Sequence, residues 1–342
     1  MTGRRMKKLF LAAAMASAFV ASAAAAQHRA SGGDIDQNLG KMDYGVCRGT
    51  DPKCYHDWAR AKTSEYRVLL YTRTGASRHA NLGPLLGAGM NPPLADANVV
   101  QKGMLKLAAD NGWKMDYTED VSQLTNLSGY NAVVFFSTSR EILDDTAKTA
   151  LRQYMRAGGG FVGIHNAFGT LYNWPYYEGL LGGANFYTHD PLRDGEVVMV
   201  NSKDASTKGL PKRWKLKDEW YNLVPFPTNV RFLATVDEKS WPAVAPSNFG
   251  GPPPPTAAEA ATPGFAVPPR PRYASVVGKH PGHGDFHPVA WCQYYDGGKA
   301  WLTTLGHDAK LFTDPSFAGA AEFSKMITGG LKSVMGIEPF CQ

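Results

Sequence analysis

Gly158-Gly159-Gly160-Phe161-Val162-Gly163-Ile164-His165-Asn166-Ala167 is the stretch that decides the fold. Its apolar, β-forming residues stop abruptly at a histidine between small neighbours. That is the pattern of a buried parallel strand turning sharply out of its sheet. Gly163 and Ala167 bracket His165 as G-x-H-x-A, a counterpart of the G-x-S-x-G elbow, whose small neighbours let the central side chain project from the sheet's C-terminal edge. Here the projecting group is an imidazole, so neither a serine nor a cysteine nucleophile occupies that point. A functional histidine at the rim would cost little stability when removed. A core histidine at a strand end is the other reading, and its loss would cost several kcal/mol, on the order of 3.

The same rhythm extends upstream. Tyr66–Tyr71 is a β-forming run that leads into a polar loop ending at His79. Val99, Val100, Met104, Leu105 and Leu107 recur at near-helical spacing within 96–111, and Asn111-Gly112 is a stop signal. Residues 113–117 alternate as a strand, 132–136 are continuously apolar, and 144–156 read as a helix. Strand and helix in alternation predict a parallel sheet with right-handed crossovers. Ligands of such sheets sit off the C-terminal strand ends, which places His79 and His165 at one rim.

Downstream the chain turns aromatic, with Phe168, Tyr172, Trp174, Tyr176 and Tyr177, and then Thr188-His189. Residues 196–200 and 230–236 read as strands, with the cluster Lys217-Asp218-Glu219-Trp220-Tyr221 between them. Residues 246–271, including four consecutive prolines, cannot form a packed core and read as an inserted loop. Two further strands, 287–295 and 300–305, flank Asp296-Gly297-Gly298, a tight hairpin signal. A helix over 315–335 closes the domain.

At the N-terminus, Arg4, Arg5, Lys7 and Lys8 precede a short apolar run and an Ala-rich segment ending at Ala26. This predicts a secretory signal peptide over 1–26, too short in its apolar core for a membrane span, and hence a periplasmic or secreted protein. Residues 27–64 read as an extension with a small cysteine loop, and 65–342 as the main domain. The formal charge of +6 falls to about +2 once the four N-terminal cations are removed, which argues against a nucleic-acid partner. Of the four cysteines, Cys47 and Cys54 are the expected disulfide, and Cys292, within an apolar run, reads as a buried thiol.

Gly159–His165, Trp174-Pro175-Tyr176-Tyr177, Asp218–Tyr221, His287-Pro288-Val289-Ala290-Trp291 and Thr304-Leu305-Gly306-His307 occur in this order. Together with the His79 loop and Thr188-His189, they resemble the trehalose-utilisation (ThuA-like) family, from about Tyr66 to the C-terminus. The resemblance implies a class I glutamine-amidotransferase-like fold, a flavodoxin-like three-layer α/β sandwich with a mainly parallel sheet. It also implies a role in sugar metabolism, with disaccharides oxidised at C3 by a partner dehydrogenase. The amidotransferase cysteine is missing, since His165 stands at the elbow, so glutamine hydrolysis through a thioester is not expected. The N-terminal extension, the proline-rich insertion and the segment 279–287 depart from simpler members.

The candidate site follows from these motifs. His79, His165, His189 and Glu219 are the candidate catalytic residues. Trp174, Tyr177, Asp218 and His287 are the candidate substrate-binding residues. His79, His165 and His307 are candidate ligands of a divalent metal such as zinc. Such a set supports either metal-assisted polarisation of a carbonyl or metal-free acid–base catalysis. His280, His283, Asp285 and His287 read as a solvated loop rather than a second site. The expected reaction removes the C2 proton of a 3-keto-glycoside, expels the C1 substituent and adds water. Two rival readings use the same residues: a sugar-binding module without chemistry, and a metal-dependent esterase or deacetylase.

Overall fold

The computed structural model describes residues 43–58, 65–189, 191–241 and 282–342. The expected signal peptide and proline-rich insertion lie outside them. Met1–Val46 and Cys47–Gln342 cluster as separate units, and the second carries the features below.

The sheet is mixed. Strands β1 (Arg48–Gly49), β2 (Arg67–Tyr71), β3 (Lys114–Thr118), β4 (Ala132–Phe136) and β5 (Gly160–Ile164) precede the shorter pair β6 (Phe186–His189) and β9 (Tyr221–Leu223). Strands β7 (Arg193–Met199), β8 (Arg213–Asp218), β10 (Arg231–Asp237), β11 (His287–Tyr295) and β12 (Gly298–Thr303) complete the set. The order is β3-β2-β4-β5-β12-β11-β10-β7-β8, with β1 against β11 and β6 paired with β9 in a separate ribbon. Strands β3, β2, β4, β5 and β12 run parallel. The remainder of the large sheet is antiparallel.

Parallel strands buried on both faces need apolar residues throughout, and β4 and β5 are fully buried along their length. On one face Val68, Leu70, Val134 and Val162 meet helices α1 (Val99–Asp110) and α5 (Ala320–Val334), through Val100, Met104, Phe323 and Ile327 among others. On the other, Tyr177 of the short helix α3 (Pro175–Leu180) packs against Phe135 and Phe161. Helix α2 (Asp145–Arg156) begins where the Asp144 carboxylate caps the Ala147 N–H at 2.8 Å, an interaction worth about 1 kcal/mol. The result is a three-layer α/β sandwich. One close approach fixes α5: a Cβ on Gly330 would lie 2.4 Å from the Trp301 indole.

The Asp296-Gly297 hairpin joins β11 to β12 with both residues at positive φ, 46° and 89°, as a primed two-residue turn requires. A short helix α4 (Lys310–Thr313) precedes the C-terminal helix, which starts at Ala320 rather than Pro315. Two disulfides form, Cys47–Cys54 and Cys292–Cys341. The second corrects the reading of Cys292 as a free thiol. After α5 the chain returns to β11, where Phe340 meets Tyr294 edge-on at 5.0 Å and brings Cys341 within a Cα distance of 5.7 Å. Both bonds point to an oxidising environment. No helix among the described residues is long and apolar enough to cross a membrane.

Candidate functional site

Three parallel strands deliver histidines to one rim. His79 lies in the loop after β2, His165 directly follows β5, and His307 lies in the loop after β12. Glu219 arrives from the antiparallel half, one residue beyond β8. One donor atom from each of these four lies within 4.8 Å of every other. His79, Glu219, His307, His189 and Tyr221 line a cavity of about 460 Å³, within the size range of small-molecule sites. The crevice off the C-terminal strand ends is therefore where the side chains converge.

His165 has φ +54°, a left-handed backbone that non-glycine residues adopt rarely and that is often found at working sites. Its Nδ1 donates to the Thr304 carbonyl at 2.9 Å, since a carbonyl only accepts. The neutral ring therefore keeps its lone pair on Nε2, which lies 3.0 Å from the Tyr221 hydroxyl and 3.5 Å from Glu219 Oε2. The ring is wholly buried, so the picture of a lightly packed rim residue is corrected: His165 belongs to the core and to the site at once. Burial pushes its pKa down to about 3, against the pull of Glu219.

Glu219 Oε2 is the centre of the group. His307 Nδ1 approaches it to 3.1 Å, His165 Nε2 to 3.5 Å and His79 Nε2 to 3.8 Å. His189 Nε2 lies 3.7 Å from the other oxygen. Burial disfavours the Glu219 anion, but His165, His307 and His79 outweigh it and hold the carboxyl far below its ordinary range. His307 is likewise disfavoured as a cation by burial, yet Glu219 and Asp218 raise its pKa. Despite these approaches, Glu219 Oε2 and His307 Nδ1 make no hydrogen bond of acceptable geometry, and both are buried.

That combination fits a cation. Four donors of a tetrahedral zinc site with bonds of about 2.0–2.1 Å stand roughly 3.3–3.4 Å apart. The three Glu219–imidazole separations straddle that value, and the His165 tautomer, fixed by a backbone carbonyl, is the one a ligand needs.

The four residues expected to contact substrate are placed elsewhere. Tyr177 is fully buried, with its hydroxyl on the Ala167 carbonyl, and Trp174 stacks on Tyr176 and Tyr177. Tyr177 of α3 is turned toward the sheet, and Trp174, at the helix N-cap, packs on the outer side of α3. His287 is buried between Glu238 and the Tyr221 carbonyl. Asp218 is buried beneath the site and accepts from the backbone N–H groups of Glu219, Gly306 and His307. Burial raises its pKa to about 7, against those backbone donors. Its work is to position Glu219 and His307.

Of the loop 279–287, His283 Nε2 accepts from the Leu223 N–H and its own N–H reaches Glu238. Asp285 pairs with Lys239 at the exposed surface.

The cavity also takes residues that the motifs did not mark. Arg78, Ser139, Arg140, Tyr172 and Phe186 line it. Ser139 and Arg140 follow the apolar strand β4, and position at a C-terminal strand end was the available signal. Asn81 Nδ2 donates to the carbonyls of Gly306 at 3.1 Å and His307 at 2.8 Å, locking the loops that bear His79 and His307 together.

Residues 67–332 match the family model described as ThuA, trehalose utilisation. A solved protein from Bacteroides uniformis ATCC 8492, described as ThuA-like, resembles this chain with a TM-score of 0.51 at 21% identity, covering 81% of this chain and 95% of that one. Another, from Parabacteroides merdae ATCC 43184, gives 0.52 at 15% identity, covering 80% and 91%. At these identities the likeness is one of fold, and it agrees with the three-layer α/β sandwich described above. No curated protein matches. All four cysteines are in disulfides, which leaves no thiol for amidotransferase chemistry.

Proposed function

The chain belongs to the ThuA, trehalose-utilisation family, and on that premise we propose that it is an exported carbohydrate-processing enzyme that cleaves a glycoside bearing a ring carbonyl. His79, His165, His307 and Glu219 would hold a divalent metal ion. The observation that carries this reading is the crowding of three imidazole nitrogens around one buried carboxylate oxygen without hydrogen-bonding geometry. Export is supported by the basic-then-apolar N-terminal sequence and by the two disulfides.

A bound divalent ion would supply Lewis-acid polarisation of the substrate carbonyl. The chain's own residues carry the proton traffic. His189 lines the cavity with a fifth of its side chain exposed, beside Glu219 Oε1. There it takes the acidic proton from the carbon between the carbonyl and the anomeric centre. The electron pair moves onto the carbonyl oxygen as an enolate. It then returns to form the C1–C2 double bond as the C1–O bond breaks, and His189 hands its proton to the leaving oxygen. Water adds across the double bond, so a glycoside and water give a free sugar and its aglycone. Tyr221 borders the cavity with its hydroxyl 3.0 Å from His165 Nε2, and burial first and then Glu219 hold that hydroxyl protonated well above the ordinary range. A positioned acid–base residue contributes about 10²–10⁴-fold.

The test pairs elemental analysis of tag-free protein with incubation on a 3-keto-glycoside. The expected result is roughly one divalent ion per chain and release of aglycone that His189→Ala abolishes. Protein that carries no metal and leaves the glycoside intact would overturn the reading.

A further inference from the structure

Arg140 is the one charged group lining this cavity for which the described residues offer no counter-ion. Arg78 lines the same wall but is committed, paired with Glu119 at 2.8 Å and bonded to the carbonyls of Leu82, Gly83 and Pro84. Glu219 is surrounded by imidazoles. Arg140 Nη1 is buried, yet it donates to no described residue. A buried guanidinium N–H without an acceptor costs on the order of 1–3 kcal/mol, and no described residue offsets that cost.

The residue is also held ready. Its backbone sits in the left-handed region at φ +60°. Its N–H donates to the Gly169 carbonyl at 2.9 Å, and its own carbonyl accepts from the Leu171 N–H at 3.0 Å. The guanidinium carbon lies 5.7 Å from the centroid of Tyr172, a ring anchored by its hydroxyl to the Phe186 carbonyl at 3.0 Å. Pinned backbone, stacked side chain and an unused N–H describe a preformed half of a bidentate pair.

We propose that Arg140 is the specificity-determining residue of this cavity and receives the carboxylate of an acidic sugar, so that the substrate class is a uronate-type glycoside rather than a neutral one. The inference rests on the proposed sugar-processing role and names its substrate class. A single planar fork matches the two coplanar oxygens of a carboxylate.

Calorimetric binding of glucuronate, glucose, glucose 6-phosphate and acetate to the full chain tests it. Wild type should bind glucuronate about 10–100-fold more tightly than glucose, the worth of one charge-assisted pair. Arg140→Gln should erase that difference while glucose affinity holds and the melting midpoint does not fall, and Arg140→Lys should restore part of it. Equal affinity for glucose and glucuronate in wild type overturns the proposal without needing any variant, and leaves the sugar-processing reading standing. So does a parallel loss of both ligands in Arg140→Gln. Tighter, Arg140-dependent binding of glucose 6-phosphate overturns the carboxylate assignment in favour of phosphate. Acetate binding as tightly as glucuronate overturns the acidic-sugar class, and in that case the sugar reading falls with it.

Discussion

Asp218 and His307 are joined through the backbone: Oδ1 of the wholly buried carboxylate accepts the His307 N–H at 3.2 Å. The same carboxylate accepts from Glu219 and Gly306, each at 2.8 Å. One group beneath the cavity therefore fixes two of the four candidate ligands. Asp218→Ala should strand three N–H groups, that of Gly306 fully buried, and lower stability by about 3 kcal/mol. It should also weaken zinc binding by about 10–100-fold, as loss of outer support does at metal sites. Asp218→Asn, which keeps an acceptor oxygen, should be milder on both counts. Urea melts and a zinc titration decide. Unchanged affinity in the alanine variant would deny Asp218 this positioning role.

His165 should behave as a core residue and a ligand together. Its ring stacks 4.8 Å from Tyr221 and edge-on to His79 at 4.7 Å, and both nitrogens have partners. His165→Ala should therefore cost about 2–4 kcal/mol, combining a cavity with an unpaired Thr304 carbonyl. Metal occupancy should be lost as well. A variant that melts like wild type would show that the ring is not packed as described, and one that retains its metal would remove it from the ligand set.

Strands β2, β4, β5 and β12 were legible because strands buried on both faces write themselves as largely apolar runs, and each leads to a polar residue on the rim. His79, His165 and His307 were readable for that reason. In the antiparallel half β7, β10 and β11 were read with small shifts at their ends, but β8 was not. Strand β8, Arg-Trp-Lys-Leu-Lys-Asp, buries every second side chain and so looks polar. Asp218 consequently reads as a candidate substrate contact in a polar-aromatic cluster, although it is the last buried position of that alternation. Trp174 and Tyr177 differ in the opposite sense: Tyr177 packs on the sheet and Trp174 stacks on Tyr177, and aromatic content alone does not distinguish a stacking platform from an outer packing layer. Arg140 carries no local pattern, since its significance lies in a missing partner, which only three dimensions reveal.

The Cys292–Cys341 bond ties the C-terminus to β11 across 49 residues. Closing a loop of that length stabilises by about 4 kcal/mol on chain-entropy grounds. Cys341→Ser should lower the melting midpoint by a corresponding amount. In the native protein no thiol should react with maleimide before a reductant is added. A reactive cysteine in the untreated, unfolded chain would show that one bridge is absent.

Glu238 offers a pH test away from the candidate ligands. Its Oε1 accepts from His287 Nδ1 at 2.7 Å and from the His283 N–H at 2.6 Å, while His287 Nε2 donates to the Tyr221 carbonyl at 3.0 Å. The ring thus donates from both nitrogens and links Glu238 to the residue stacked on His165. Burial raises the Glu238 pKa, but His287 and the backbone donors outweigh it, and the net direction is down. A carboxyl whose folded pKa is depressed releases its proton more readily when folded. The unfolded chain then binds more protons near pH 4, and stability rises with pH there. The contribution is present above the ordinary glutamate value of about 4.3 and is lost as pH falls through the folded value. Glu238→Gln should therefore be less stable than wild type at pH 7, by on the order of 1–2 kcal/mol for a charge-assisted hydrogen bond. The two stabilities should converge as pH is lowered past 4. Urea melts of both proteins from pH 3 to pH 8 read this directly, and a stability gap that does not change across that range would mean that the Glu238 charge does not hold the His287 ring.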